Sequence, residues 1–241
     1  MSEVEKSFIR ERIRIERVYA LRQMHRTMSF FSYEDKAHFW RIRERYSATL
    51  ELLQEAGFDP LAQVRILDVG CGDGRLLREF IQWGADPRLL SGIDLRLDAI
   101  QKARRLLPGV ELRCGCASDL PWGERTFDVV VLSTVLSSVL DREMRSRIAE
   151  ECGRVLSAGG VILWYDFLFD NPKNPEVRGI PVREVRELFR DYEIRGRRIT
   201  LAPFIARRIS RVGGEGLYRV VAWIPVLRTH WLALLRRRVA A

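Results

Sequence analysis

Apolar positions follow two different periods along this chain. Over residues 3–28 they recur at helical spacing, with Val4, Phe8, Ile15, Val18 and Leu21 on one stripe and arginines elsewhere. A second helical stretch over residues 33–56 stops at Gly57, with Pro60 just beyond. From residue 64 the pattern changes. Short apolar, β-branched runs at 64–69, 89–95, 127–132 and 161–167 predict strands buried on both faces of a sheet. Helical spacing returns between them, from Arg75 to Ile81 and over 97–106 and 142–156, and an extended segment with a turn covers 110–122. Strands alternating with helices in this way predict an α/β doubly wound, mostly parallel sheet. Beyond it, Asn171-Pro172-Lys173-Asn174-Pro175 suits only a loop. A helix at 182–189, a strand at 192–201, helices at 204–211 and 217–223 and a last strand at 229–235 follow. The expected division is a helical extension over 1–60 and one domain over 61–241.

The most informative stretch joins the first strand to the first following helix and reads Leu67-Asp68-Val69-Gly70-Cys71-Gly72-Asp73-Gly74. Glycines at a strand-to-helix turn permit positive φ and let a ligand approach the main chain without meeting a Cβ. A dinucleotide fingerprint would need a third glycine at position 75, where Arg75 stands. About twenty residues past the turn, Asp94 closes the second strand, where a carboxylate accepts bonds from both ribose hydroxyls of a nucleoside. A helix N-cap is the alternative role for Asp94.

With Asp68 two residues before the first glycine, the run resembles the first motif of class I S-adenosylmethionine-dependent methyltransferases, and further matches extend over most of residues 67–167. The resemblance implies a Rossmann-like, seven-stranded, mostly parallel sheet with an antiparallel last strand, beneath an N-terminal helical cover. It also implies S-adenosylmethionine (SAM) as cofactor and S-adenosylhomocysteine as product. The implied cofactor residues are Asp68, Gly70, Cys71, Gly72 and Gly74 at the turn, Asp94 and Leu95, then Ser118, Asp119 and Leu120 beside the adenine, and Ser133 and Thr134. In this family a Leu-x-x-Gly-Gly turn precedes the fifth strand, matched by Leu156 to Gly160. Small-molecule enzymes of the kind labelled methyltransferase domain 11 often carry a histidine a few residues after the fourth strand. Ser137-Ser138 stand there instead, so no histidine base carries over. Tyr165 and Asp166, at the end of the fifth strand, are the catalytic candidates, with packing and capping as their alternative roles. Additions before the first strand often form a lid in this family. Phe30, Phe31, Tyr33, Phe39, Trp40 and Tyr46 suit either that or simple docking of the helices on the sheet. Leu201 to Ile205, with Leu217, Tyr218 and Trp223, are expected to wall the acceptor pocket.

Composition narrows the function further. The net charge of +9 would suit a polyanion, but it is almost all arginine spread along the chain, and no RNA-binding module is recognisable. The loop after the fourth strand has neither the Asn/Asp-Pro-Pro-Tyr sequence of base N-methylating enzymes nor a Pro-Cys nucleophile. The four cysteines lack paired ligand spacing, which speaks against a metal site and for reduced thiols. Neither a signal peptide nor a membrane span is expected, although arginines beside apolar residues leave peripheral membrane contact open. The reading is a cytoplasmic enzyme that methylates an oxygen of a small-molecule acceptor in secondary-metabolite, lipid or glycan biosynthesis. Three motifs, Asp-Asn-Pro-x-Asn-Pro, Thr-Leu-Ala-Pro and Pro-x-Leu-Arg-Thr-His, also loosely resemble a bacterial subgroup of that kind. The alternatives are an RNA or protein methyltransferase and a non-catalytic cofactor-binding subunit. Nucleic acid is the disfavoured partner, and the oligomeric state is open.

Overall fold

The computed structural model describes residues 2–24, 35–171 and 174–238. The expectations for Met28, Phe30, Phe31, Tyr33, Pro172 and Lys173 lie outside the described residues.

Seven strands form one sheet: β1 (Ile66–Val69), β2 (Leu90–Asp94), β3 (Glu111–Cys114), β4 (Phe127–Ser133), β5 (Leu156–Phe167), β6 (Tyr192–Leu201) and β7 (Arg228–Arg237). Their order is β3-β2-β1-β4-β5-β7-β6. The first five strands pair in parallel, and β7 runs antiparallel between β5 and β6. This is the expected doubly wound sheet with its reversed last strand. Strands β1 and β4 are buried along nearly their whole length, because helices cover both faces and leave no solvated side.

The covering helices are α3 (Arg75–Gln82), α4 (Leu97–Leu106), α5 (Arg142–Val155) and α6 (Val182–Leu188). In α3 only the stripe Leu76, Leu77 and Phe80 is buried, which fixes which side meets the sheet. The chain order reverses at β1, with β2 on one side and β4 on the other, and the carboxyl ends of these strands flank a crevice there.

One local expectation fails. Ser157 to Gly160 do not form a separate turn but lie within β5. Leu156 pairs with Phe127 and Val161 with Val129, so the four residues between are accommodated as a bulge in the ladder.

Two further helices precede the sheet, α1 (Glu3–Met24) and α2 (Lys36–Glu55). Asp35 caps α2 by accepting the backbone N–H groups of Ala37 and His38 at 3.0 and 3.2 Å. The helices part company. Ile15 of α1 joins the core on the α5 face, whereas Ala48, Leu52 and Leu53 of α2 join the core on the opposite face. The other end of α2, with Ala37 and Trp40, packs on α7 (Pro203–Val212) and α8 (Glu215–Ala222), the pair inserted between β6 and β7. Trp40 sits 5.5 Å from Tyr218, and Tyr46 meets Trp83 edge-on at 5.4 Å, so these two aromatics dock α2.

Candidate functional site

The glycine turn after β1 takes its shape from three positive-φ residues, Gly70, Gly72 and Gly74, at 72°, 55° and 75°. Two of them are closed in by their neighbours: a Cβ on Gly70 would come 2.8 Å from Val135, and one on Gly74 would come 2.4 Å from Leu107. Gly72 differs. Its Cβ would meet nothing nearer than the Arg96 guanidinium at 3.8 Å, so the absent side chain leaves open space in front of the main chain.

That space belongs to a cavity of about 220 Å³ at the switch point of the sheet. Gly70 and Gly72 form one wall; Asp94 and Leu95, at and just beyond the end of β2, form a second. Gly115, Cys116 and Ala117 follow after β3, and Ser133, Thr134 and Val135 close the far side. One Asp94 oxygen accepts the Gly72 N–H at 2.8 Å and the other accepts the Arg96 N–H at 2.9 Å. Both bonds turn the carboxylate toward the cavity. Thr134 has φ of 58°, held there by its N–H donating to the Tyr165 carbonyl at 2.7 Å; strained backbone of this kind is tolerated where surrounding structure fixes it.

Not every expected residue lines this cavity. Cys71 and Asp68 are buried behind the turn. Burial pushes the Asp68 carboxyl up to about 7; Arg45 opposes the shift and Asp94 adds to it. The Cys71 thiol is also pushed up, chiefly by burial. Asp119 and Ser118 line an adjoining groove, together with Phe8 and Arg12 of α1. Leu120 is buried, and its N–H is taken by Glu151 at 2.8 Å.

The two catalytic candidates point away from each other, as neighbours in a strand must. The Asp166 side chain is fully buried and accepts the N–H groups of Ser137 at 3.0 Å and Phe167 at 2.9 Å, so it ties the loop after β4 to β5. Burial raises its pKa to about 7. Tyr165 lies on the α2 face, stacked on His230 at 4.8 Å and sharing a 3.0 Å hydrogen bond with Thr200. Burial holds its phenol protonated and lowers the His230 pKa well below the usual histidine value.

Three contributions escape a reading of the sequence. Arg45 donates to Ser133 Oγ at 2.7 Å while its guanidinium lies 4.1 Å from the centre of the Tyr165 ring. Arg41 stands one helical turn earlier, and the Nε atoms of both arginines are buried without a hydrogen-bond partner. From the other side α1 crosses the cavity with Ile15 and Tyr19. Its Glu11 accepts the Leu140 N–H, Arg14 donates to the Ser138 carbonyl at 2.6 Å, and the Tyr19 hydroxyl lies 2.9 Å from Ser138 Oγ. Arg96 packs over the Tyr19 ring at 5.2 Å and so links α1 to the Asp94 wall. Helical spacing marks those on α1 and α2 only as one stripe among several, and Arg96 stands just before α4 in extended backbone.

The expected apolar acceptor wall divides as well. Leu201, Ala202 and Tyr218 are buried, but Phe204, Leu217 and Trp223 face solvent, because α7 and α8 bury only their inner stripes.

Residues 66–160 match the family model described as a methyltransferase domain. The chain is 28% identical over 149 residues to a tRNA N(3)-methylcytidine methyltransferase of Drosophila melanogaster, covering 58% of this chain and 46% of that protein. It is 37% identical over 108 residues to a fatty-acid O-methyltransferase of Mycolicibacterium smegmatis, covering 42% of this chain and 36% of that protein. The chain thus spans less than half the length of these relatives. Among solved structures, a SAM-dependent methyltransferase of Methanosarcina mazei superposes with a TM-score of 0.53 at 21% identity, over 75% of this chain and 94% of that one. An open cradle at Gly72, a carboxylate at the end of β2 and a cavity at the switch point fit a bound nucleoside with an amino-acid tail, the shape of SAM.

Proposed function

From a chain whose residues 66–160 carry a methyltransferase domain on the class I fold, we propose an enzyme that transfers the methyl group of SAM to an oxygen of a small-molecule acceptor in the cytoplasm. The observation that carries this reading is the Gly72–Asp94 pair beside the cavity. In this reading Asp94 would anchor the ribose, the glycine turn would receive the amino-acid tail, and Gly115 to Ala117 would border the adenine, with Asp119 in the adjoining groove. When bound, the cofactor supplies a methyl group on a sulfonium centre, already activated for in-line displacement. What remains for the protein is mostly position and exclusion of water, and alignment alone yields effective molarities of ~10⁵ M or more.

On the acceptor side Arg45, Ser133 and Tyr165 form one connected group. Tyr165, protonated and bonded to Thr200, acts as an orienting hydroxyl more readily than as a base. Asp166 serves by holding the loop after β4 against β5. Helix α1, fastened by Glu11, Arg14 and Tyr19, acts as a lid that closes the site to water.

The likeness to tRNA methyltransferases, with the net charge of +9, favours RNA as a second reading. Incubation with methyl-labelled SAM and, separately, total RNA, total lipid and a soluble metabolite extract distinguishes the two. Label in the metabolite or lipid fraction is the expected result; label in RNA that moderate salt abolishes contradicts it.

A further inference from the structure

The inserted pair α7–α8 turns an unusual surface outward. In α7 the buried positions are Ala206 and Ile209, so the opposite stripe carries Phe204, Arg208 and Arg211 at spacings of four and three. In α8 the buried positions are Tyr218 and Ala222, and the outer stripe carries Arg219 and Val220, with Trp223 as the residue that caps its end. The chain leaves α8 through Trp223-Ile224-Pro225-Val226, four consecutive exposed residues. Phe204, Val220, Trp223 and Val226 are 74%, 68%, 81% and 74% exposed. Large apolar side chains that stand this far out, clustered on one excursion of the chain, mark a surface that meets something.

The charge around them identifies what it meets. Residues 203–227 contain four arginines and a single acid, Glu215. Glu215 is already engaged by Arg219 at 2.8 Å and by Arg43 at 3.3 Å. Among the described residues, Arg208 and Arg211 form no ion pair. An apolar ridge tipped by tryptophan and flanked by arginines complements a bilayer surface, whose acyl boundary accepts the one and whose anionic headgroups accept the other. A second copy of this chain complements it poorly, since a two-fold contact would bring the arginines of both copies together. Among the described residues no helix is long and apolar enough to cross a membrane, so the contact lies in the plane of the surface.

We infer that α7, α8 and the Trp223–Val226 segment dock this protein on an anionic lipid bilayer. The docking does not depend on the proposed methyl transfer, but the two fit. Tyr218 of α8 donates to Glu44 of α2 at 2.7 Å, and the next residue of α2, Arg45, reaches Ser133 at the cavity. A protein held by α7 and α8 therefore presents the acceptor side of its cleft beside the lipid surface, where an amphiphilic acceptor resides.

The test is co-sedimentation of the full chain with vesicles of phosphatidylglycerol and phosphatidylcholine, and with vesicles of phosphatidylcholine alone. Wild type is expected on the anionic vesicles and largely absent from the neutral ones. The pair Trp223→Ser and Val226→Ser should weaken anionic-vesicle binding by about tenfold or more. The pair Arg208→Gln and Arg211→Gln should weaken it by about fivefold per arginine. Because all four residues are exposed, circular dichroism and S-adenosylhomocysteine affinity should match wild type in both variants. Absence of wild-type vesicle binding, or binding by both variants as tight as wild type, overturns the inference. So does a patch-dependent dimer in sedimentation velocity without vesicle binding, which would assign the surface to self-association.

Discussion

The Asp94 carboxylate accepts the Gly72 amide at 2.8 Å and thereby ties the end of β2 to the glycine turn after β1, beside the point where strand order reverses. One oxygen is oriented by the turn and the other by the Arg96 amide, so the carboxylate meets a ligand already aimed. Replacement of Asp94 by alanine should weaken S-adenosylhomocysteine binding by a few kcal/mol, since charge-assisted hydrogen bonds contribute about 1.5–3 kcal/mol each and two ribose hydroxyls lose their acceptor. Calorimetry on the folded variant checks this, and an unchanged affinity would reduce Asp94 to a structural cap.

Helix α1 is fastened across the cavity by a few polar contacts more than by a broad apolar face. The double variant Glu11→Ala and Arg14→Ala removes the bonds to Leu140 and Ser138 while Ile15 stays in the core. Cofactor affinity should fall by about tenfold, the equivalent of one net charge-assisted hydrogen bond, with the sheet intact by circular dichroism. Equal affinity would leave α1 as a structural cover with no part in closure.

Arg45 tests the acceptor and cofactor roles proposed for the cleft separately. Arg45→Met keeps the apolar stem and removes the guanidinium from Ser133 and Tyr165. Steady-state kinetics should show the KM for the acceptor raised about tenfold, with the KM for SAM moved less. A change confined to SAM would put Arg45 on the cofactor side.

Those contacts also mark how far the chain could be read without a structure. The order of elements and the turn at Gly70 to Gly74 were legible, because buried parallel strands and tight glycine turns impose strict local patterns, whereas the reversed last strand came only from the family resemblance. Arg45, Arg96 and Tyr19 were not, because their roles arise from the packing of α1 and α2 on opposite faces of the sheet. Phe204, Leu217 and Trp223 were expected to wall the acceptor pocket, from the family resemblance and their apolar character, and helical phase turns them to solvent. Ser157 to Gly160 read as a turn by residue type, yet the sheet absorbed them as a bulge.

The buried carboxyl of Asp68 makes a prediction about pH. Its folded pKa, about 7, lies above the ordinary value of 3.8, so between these the native state holds a proton that the unfolded chain has lost. Stability from this group is present at low pH and declines as pH rises toward 7. Asp68→Asn should flatten the difference by up to about 1.4 kcal/mol per pH unit in that window, measured by urea unfolding. Asp166, raised to a similar value, retains its own contribution in that variant. An identical pH slope in both proteins would mean that Asp68 is ionised in the fold.

The most direct test is calorimetric titration of the purified wild-type chain with S-adenosylhomocysteine, and with NAD in parallel. Saturable one-to-one binding of S-adenosylhomocysteine, no binding of NAD, and loss of the former in Gly72→Val, whose side chain would fill the open cradle, is the predicted result. Binding of NAD in place of S-adenosylhomocysteine, or full affinity in Gly72→Val, would contradict the assignment of this cavity to SAM.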